Sequence, residues 1–387
     1  MKCEDRLKNF IKKRKSTLLG IGPMSQNCVD AVIELGKDYK LPLMLIPSRR
    51  QIDDKEHGGG YVNNWTTETF SEYVKKRDPE GNIILARDHG GPWQNYSEVD
   101  KKMDLQKAME SSRRSFEVDI KSGFQIIHID PSIDIHKTIS QDEVLERLFE
   151  LYEYCYEAAQ KYGKEVIFEF GTDEQSGEQQ ELEELKNIIQ KTLDFCKNNS
   201  LPKPFFLVVQ TGTRVKETRN VGNINDATRV RGVIPPEVYI SKIVEMCEQY
   251  GLHLKEHNVD YLSDEILSWH PRIGIHAVNV APEFGVFETK HILKICGELN
   301  LKKEEEMFLE LAYESRKWDK WLLPDSNTTD YDKAVIAGHY VFANERFKEI
   351  KKSISSKYES TGFDLDKSIK EGLKYAIGRY LYHFNLI

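Results

Sequence analysis

Residues 84–94 read ILARDHGGPWQ, an apolar run that ends in Asp88 and His89 and is followed by glycine and proline. Residues 123–132 repeat this arrangement as GFQIIHIDPS, with Asp130 at the end of the apolar run. A short apolar run without polar alternation is typical of a parallel strand that is covered on both faces. Both stretches therefore predict buried strands whose carboxyl ends carry polar side chains.

Six further runs of this kind occur along the chain, at 18–24, 43–48, 166–171, 205–210, 252–257 and 273–280. Amphipathic segments typical of helices lie between them, at 26–37, 67–76, 100–121, 141–162, 178–198 and 235–250. Regular alternation of strand and helix indicates a parallel sheet, and eight repeats favour a closed barrel. The sequence therefore predicts an α/β fold, a (β/α)8 TIM barrel. No G-x-G-x-x-G follows the first strand, which disfavours an open dinucleotide-binding sheet.

The strand signal ends near residue 299, and four helical segments follow at 303–318, 331–343, 345–358 and 366–382. We expect the barrel to occupy residues 1–299 and a helical C-terminal extension, packed on the barrel, to occupy residues 300–387. The aromatic residues of the extension are interpreted as packing residues, with oligomer contacts as the second interpretation: Trp318, Trp321, Tyr340, Phe342, Tyr375, Tyr380 and Tyr382.

Composition restricts the partners of the chain. A net charge of −8 argues against a broad nucleic-acid surface. No stretch approaches the roughly 18 to 20 apolar residues that span a membrane, and the first residues lack the apolar core of a signal peptide. We expect a cytoplasmic location without a membrane partner. The six cysteines are far apart and form no C-x-x-C pair, so we interpret them as reduced, buried small residues.

In a (β/α)8 barrel the active site lies at the carboxyl ends of the strands. The predicted strands repeatedly end in carboxylates and imidazoles, which are costly to bury for stability alone. Imidazole and carboxylate are ordinary ligands of zinc and manganese, so we predict a divalent metal, zinc first and manganese as the alternative. The candidate metal ligands are His89, His257 and Glu174, and the candidate catalytic acids and bases are Asp88, Asp130, Glu169 and Asp173.

Two segments could bind a phosphate group. One is the long loop 211–234, which carries several arginines, and the other is the pair Arg49 and Arg50; a solvated charged loop is the alternative for the first. His128 has two open interpretations: a hydrogen-bonded residue of the barrel mouth, or a functional residue. The candidate substrate-binding residues are Arg49, Gln51, Arg87, His128, Gln210, Arg214 and Asn279.

Five stretches occur in the order of a known family: PSRRQID…GGGY (47–61), ILARDHGGPWQ (84–94), GFQIIHIDPS (123–132), FGTDE (170–174) and EHNVDYLS (256–263). They resemble the tagatose-bisphosphate aldolase accessory-subunit family, often labelled tagatose-6-phosphate kinase, a branch of the class II aldolase-type barrels. The resemblance covers residues 18 to 290. It places these residues on family positions: Gln51, Gly59, Gly60, Asp88, His89, Gly91, Pro92, His128, Asp130, Gly171, Thr172, His257, Asp260 and Tyr261.

The resemblance implies roles for three of these residues. Asp88 would carry protons, and His89 and His257 would be metal ligands. Catalytic class II aldolases also use a third histidine and a glycine-rich phosphate loop, and neither is found at a matching place. An acid follows the Gly-Thr of the accessory family, where Asp173 stands before Glu174, so a carboxylate is expected to replace the missing imidazole.

These features predict a metal-dependent aldolase, or a retro-aldol C4 epimerase, of a ketose phosphate or bisphosphate such as that of tagatose or fructose. A phosphorylated sugar is the expected substrate. The alternative is a non-catalytic accessory subunit that stabilises a separate aldolase subunit, so a homo-oligomer and a hetero-complex are both open. A sugar-phosphate kinase is disfavoured because no nucleotide-phosphate loop is present.

Overall fold

The computed structural model describes residues 2–13, 15–171, 181–225 and 234–387. Its ten strands are β1 (Leu18–Ile21), β2 (Met44–Leu45), β3 (Ile84–Gly90), β4 (Ile126–Ile129), β5 (Ile167–Gly171), β6 (Phe206–Val208), β7 (Val215–Lys216), β8 (Arg219–Asn220), β9 (His253–Glu256) and β10 (Ala277–Val280). Strands β7 and β8 form a separate antiparallel hairpin. The other eight are parallel and close into a barrel in the order β1-β10-β9-β6-β5-β4-β3-β2, which confirms the predicted TIM barrel.

Fourteen α-helices lie within the described ranges. They are α1 (Cys3–Lys13), α2 (Gln26–Tyr39), α3 (Thr67–Arg77), α4 (Tyr96–Asp100), α5 (Leu105–Ser122), α6 (Gln141–Lys161), α7 (Leu182–Asn198), α8 (Pro236–Tyr250), α9 (Asp264–Ile273), α10 (Pro282–Glu298), α11 (Lys302–Glu314), α12 (Asp330–Ala337), α13 (Glu345–Glu359) and α14 (Leu365–His383). Short 3-10 turns occur at Asn223–Asn225, Asp319–Trp321 and Gly338–Val341.

Local chemistry sets several of these boundaries. The helix predicted over 100–121 is two helices, because Asp104 caps α5 by accepting a hydrogen bond from the Lys107 amide at 2.9 Å. The strand predicted over 273–280 is shorter, since Ile273 is the last residue of α9. Gly274 follows with a φ of 98°, a left-handed conformation that ends a helix and that glycine adopts without a steric penalty.

The amino-terminal end of the barrel is closed by apolar packing. Helix α1 places the fully buried Leu7 against a layer of side chains from the barrel strands. This layer consists of Leu18, Met44, Ile46, Ile84, Ala86, Ile126, Ile167, Phe205, Phe206 and Ala277. An apolar layer that is buried in this way leaves the opposite, carboxyl-terminal end as the open face of the barrel.

The chain beyond residue 299 is helical and packs on the barrel. Helix α14 contacts α2 and α10, and it buries Ile369, Leu373 and Ile377 completely. Their spacing of four residues forms one apolar stripe along α14, which explains why the helix lies against the barrel. The segment between α11 and α12 contributes Lys320 and Trp321 to the barrel mouth.

No helix in the described part of the chain combines the length and the apolarity that crossing a membrane requires. All six cysteines are free thiols; five are buried, as predicted, whereas Cys3 is only partly buried.

Candidate active site

The carboxyl ends of five barrel strands bring polar side chains together at the open face. Strands β3, β4 and β5 are neighbours in the barrel, and so are β9 and β10. Strand pairing places His128 of β4 directly beside Glu169 of β5. The group formed at these strand ends consists of Asp88, His89, His128, Glu169, His257 and Asn279.

Three imidazoles form the centre of this group. One ring nitrogen from each of His89, His128 and His257 lies within 4.8 Å of the other two. Nε2 of His89 is 3.0 Å from Nδ1 of His257. The expectation that the site lacks a third imidazole is wrong. Strand β4 lies beside β3, and it supplies His128, which we predicted as a substrate-binding residue.

Backbone geometry at the end of β3 is unusual. His89 has a φ of 45°, in the left-handed region that non-glycine residues seldom adopt. Strained backbone of this kind is concentrated at functional sites, where surrounding contacts hold it in place. Here the amide of His89 donates to Nδ1 of His128 at 3.2 Å, which ties the turn to the neighbouring strand.

Carboxylates behind the imidazoles hold two of the rings. Oδ2 of Asp130 is 2.6 Å from Nδ1 of His89, so this nitrogen is the donor and Nε2 keeps its lone pair. Oε1 of Glu169 is 3.4 Å from Nε2 of His257, and Oε2 of Glu169 accepts from Nζ of Lys255 at 2.7 Å. Asp130 and Glu169, which we predicted as catalytic acids, therefore lie where they position the histidines.

The three imidazoles fit a divalent cation. Metal-binding histidines commonly donate their second ring nitrogen to a carboxylate, as His89 does to Asp130. Nε2 of His128 is buried without a hydrogen-bond partner among the described residues. Burial lowers the pKa of His257, which favours the neutral ring that a metal ligand requires.

Asp88 lies between the imidazoles and the open cavity. Its Oδ1 accepts a hydrogen bond from Nδ2 of Asn279 at 2.9 Å and is 3.7 Å from Nε2 of His257. Burial opposes its ionisation, but His89 and His257 outweigh this effect and lower the pKa of Asp88 far below the usual range. The side chain is therefore a carboxylate at neutral pH.

Two arginines predicted to bind substrate are buried in the scaffold instead. Arg49 pairs with Asp53 and Glu98 at 3.0 and 2.6 Å. Arg87 forms two bonds with Asp119, at 2.6 and 2.7 Å. Successive side chains of a strand point to opposite faces, so Arg87 points away from the mouth toward α5, whereas Asp88 faces the cavity. We therefore leave both arginines out of the proposed substrate site.

The remaining candidates divide into three groups. Gln51 lines the cavity, and Asn279 contacts Asp88 and His257. Gln210 is buried and accepts from the amide of Gly212 at 3.1 Å, while Arg214 is partly buried beside the β7–β8 hairpin and does not line the cavity. The predicted catalytic residue Asp173, the predicted ligand Glu174 and the family position Thr172 lie outside the described residues.

A cavity of about 380 Å³ opens above this group. Its volume is within the range of small-molecule sites. Barrel residues Asp88, His89 and Asp130 line one part, and the C-terminal helical region lines another with Lys320, Trp321, His339 and Tyr340. Trp321 and Tyr340, which we interpreted as packing residues, line the cavity in addition to their contact with each other and that of Tyr340 with Tyr61.

Asp260 is buried beside the mouth, and its burial predicts that the stability of the protein depends on pH. Its Oδ1 accepts from the amides of Ala281 and Glu283 at 3.0 and 2.9 Å. Burial and the charge of Glu283 raise the pKa of Asp260 to about 7. A folded-state pKa above the unfolded value of about 3.9 gives stability that is full below pH 4 and is lost as the pH rises through about 7.

Asp260→Asn is expected to remove this loss, because asparagine keeps an oxygen for both amides and does not ionise. The variant should exceed the wild type in free energy of unfolding by about 2–4 kcal/mol at pH 8, and the difference should vanish near pH 4. Urea denaturation at the two pH values measures it. Parallel pH dependence of the two proteins would show that folding does not raise the pKa of Asp260.

The fold defines the class: a (β/α)8 barrel with polar side chains at the carboxyl ends of its strands. The structure is similar to a probable tagatose 6 phosphate kinase from Sinorhizobium meliloti, with a TM-score of 0.74 and 14% identity over 95% of this chain and 100% of the other. It is also similar to the fructose-bisphosphate aldolase of Campylobacter jejuni, with a TM-score of 0.56 and 11% identity over 100% of this chain and 96% of the other.

A third similar structure is the fructuronate-tagaturonate epimerase of Cohnella laeviribosi, with a TM-score of 0.55 and 11% identity over 96% of this chain and 81% of the other. The sequence matches no family model and no curated protein. At these identities the likeness shows the fold. It agrees with the predicted resemblance to proteins related to tagatose-bisphosphate aldolase.

Proposed function

We propose that the protein is a metal-dependent enzyme that acts on a ketose phosphate, such as that of tagatose or fructose, by aldol cleavage or C4 epimerisation. The observation that carries this proposal is the convergence of His89, His128 and His257 beside the carboxylate of Asp88. The aldolase and epimerase named among the similar structures support it, because both catalyse reactions of ketoses or keto acids.

His89, His128 and His257 would hold the cation, with zinc as the first candidate and manganese as the second. The bound cation would act as a Lewis acid that polarises the ketose carbonyl at C2. Asp130 keeps the His89 ring oriented through the 2.6 Å contact with Nδ1, and Glu169 lies behind His257.

Asp88 is the proposed proton carrier. Its ionised carboxylate lines the cavity and would remove the proton from the C4 hydroxyl of the sugar. The C3–C4 bond then breaks, C4 becomes an aldehyde, and the electron pair moves through C3 and C2 to the carbonyl oxygen. In an aldolase C3 takes up a proton; in an epimerase the aldehyde rotates, the bond forms again and Asp88 returns its proton.

Asn279 fixes the orientation of this base. Its Nδ2 is 2.9 Å from Oδ1 of Asp88 and 3.1 Å from Nε2 of His257, so one amide group connects the carboxylate to the imidazole centre. This contact holds one carboxylate oxygen, which leaves the other for the substrate proton.

Asp88→Asn tests the proposal. The amide matches the carboxylate in shape but does not accept a proton, so kcat should fall by about 10²- to 10⁴-fold while the metal content stays unchanged. Turnover of fructose and tagatose phosphates, followed as triose or as the C4 epimer, and elemental analysis of the same samples measure the two effects. Asp325→Asn, an acid outside the cavity, is the matched control.

A second candidate, the accessory subunit, is supported by the surface of α14. Tyr375 and Tyr382 are 83% and 67% exposed, and their spacing of seven residues places them on the same face of the helix. Exposed aromatic residues are characteristic of protein interfaces. Wild-type protein that turns over neither sugar phosphate, but forms a stoichiometric complex with an aldolase subunit, would establish this candidate in place of the enzyme.

A further inference from the structure

The C-terminal helical region contributes a group of side chains to the cavity that Asp88 and His89 also line. Lys320 and Trp321 come from the 3-10 turn at Asp319–Trp321, and His339 comes from the turn at Gly338–Val341. Arg50, which follows β2, lines the same cavity. The barrel alone therefore forms only part of the wall around the substrate space.

Three cations lie over aromatic rings in or near this part of the wall. The guanidinium carbon of Arg50 is 5.4 Å from the ring centre of Tyr96, and Nζ of Lys317 is 4.1 Å from the same centre. Nζ of Lys320 is 4.8 Å from the ring centre of Trp321 and 5.4 Å from that of Tyr340. Aromatic faces attract cations, so they can hold these charges without a carboxylate.

Arg50 and Lys320 have no acidic partner within the described ranges, whereas the charge of Asp100 acts on Lys317. None of Arg50, Lys317 and Lys320 forms a salt bridge with a described carboxylate, and Nε of Arg50 is buried without a hydrogen-bond partner there. Desolvation at the cavity wall and the charge of Arg50 lower the pKa of Lys320, although its side chain keeps contact with solvent. Arg50 and Lys320 therefore leave positive charge at the cavity that a bound anion would balance.

His339 gives an independent indication of a ligand. Its side chain is 1% exposed and lines the cavity, and both ring nitrogens are buried without a hydrogen-bond partner among the described residues. Buried polar groups in native proteins are nearly always hydrogen-bonded, so a ring with two unpaired atoms points to a partner that is supplied from the cavity. Burial and the charge of Lys320 lower the pKa of His339 to about 3. The neutral ring offers one donor and one acceptor, which suits a hydroxyl group.

The structure holds this segment at the cavity by contacts from both sides. The amide of Glu217, in the β7–β8 hairpin, donates to the carbonyl of Trp321 at 2.7 Å, and Nζ of Lys216 donates to the carbonyl of Lys320 at 2.7 Å. Gly285 of α10 makes room for His339, since an added Cβ would lie 2.6 Å from the Cγ of that ring. The segment is therefore fixed between the loop after β6 and a barrel helix.

We infer that Arg50 and Lys320 bind the anionic end of the sugar substrate and that His339 hydrogen-bonds its hydroxyl chain. The inference rests on the proposed function for the identity of the substrate as a ketose derivative. The anionic end is a phosphate or a carboxylate, since a guanidinium group pairs with both. With the anion bound at this wall, the carbonyl end of the sugar extends across the cavity toward Asp88 and His89.

Inorganic phosphate is the first probe. Calorimetric titration of the wild type, Arg50→Met, Lys320→Met and the double variant measures its affinity. Each single substitution should weaken phosphate binding by about 10- to 100-fold, the loss typical of one charge-assisted hydrogen bond. Lys303→Met, on the exposed side of α11, removes the same charge away from the cavity and should leave the affinity unchanged. Thermal melting shows whether each variant is folded.

A ketohexose phosphate and a ketohexuronate, each titrated in competition with phosphate, distinguish the two anion sources. Displacement of phosphate by either sugar supports the proposed anion site and identifies the anionic group that it binds. His339→Phe should weaken the binding of that sugar while leaving inorganic phosphate unaffected, because the imidazole contacts the hydroxyl chain. A folded double variant that binds phosphate like the wild type overturns the inference, as does an equal loss in Lys303→Met. Binding with these losses but without turnover would retain the anion site and reject only the proposed reaction.

Discussion

His89→Ala is expected to abolish both metal binding and turnover. The substitution removes one of three converging imidazoles, together with the contact that joins Asp130 to the centre. Loss of a residue behind a metal ligand typically costs 10- to 100-fold in affinity or activity, so loss of the ligand itself should exceed about 100-fold. Elemental analysis of purified protein and turnover of fructose and tagatose phosphates measure the two effects.

His383→Ala is the matched control, because this histidine contacts Ser268 on the outside of the barrel. It should keep the metal and the activity of the wild type. Stoichiometric metal in His89→Ala would contradict the proposed centre. Absence of metal and turnover in the wild type as well would favour the accessory-subunit function.

Arg87→Met should cause the largest loss of stability. The guanidinium group is 1% exposed, forms two bonds with Asp119 and donates to the carbonyls of Pro47 and Ile52 at 2.8 Å. Removing it leaves a buried carboxylate without its counter-charge, which typically costs 3–5 kcal/mol. Urea denaturation at neutral pH measures the change in free energy of unfolding.

Arg113→Met removes an arginine whose partners, Glu110 and Glu150, are largely exposed, and it should cost no more than about 1 kcal/mol. The double variant Arg87→Met/Asp119→Leu should recover part of the loss, because no unpaired charge remains. Equal stability of Arg87→Met and Arg113→Met would contradict the structural role of Arg87.

The sequence by itself determined the barrel and the identity of its mouth. Residues 84–90 form β3 because an apolar run can be buried on both faces, and the polar residues Asp88 and His89 at its end face the cavity. The sequence shows where a buried strand begins and ends because both depend on residues that are close along the chain. It also identified His257, at the end of another apolar run.

The pattern of apolar runs does not show to which face of a strand an individual side chain points. Arg87 and Asp88 are adjacent polar residues, and a strand that is buried on both faces gives no alternation to show which of them faces the mouth. Only the packing of α5 reveals that Arg87 pairs with Asp119. His128 shows the same limit, because its role depends on β4 lying between β3 and β5.

The tertiary structure alone decided what the C-terminal region contributes. Lys320 and His339 are more than 200 residues from Asp88 along the chain and have no motif in common with it. They reach the same cavity because α10 contacts the turn at Gly338–Val341 and the β7–β8 hairpin holds the turn at Trp321. Such contacts depend on the shapes of surfaces that form only after the barrel has closed. The sequence therefore determined the imidazole centre in outline, and folding determined which C-terminal residues complete the wall of the cavity.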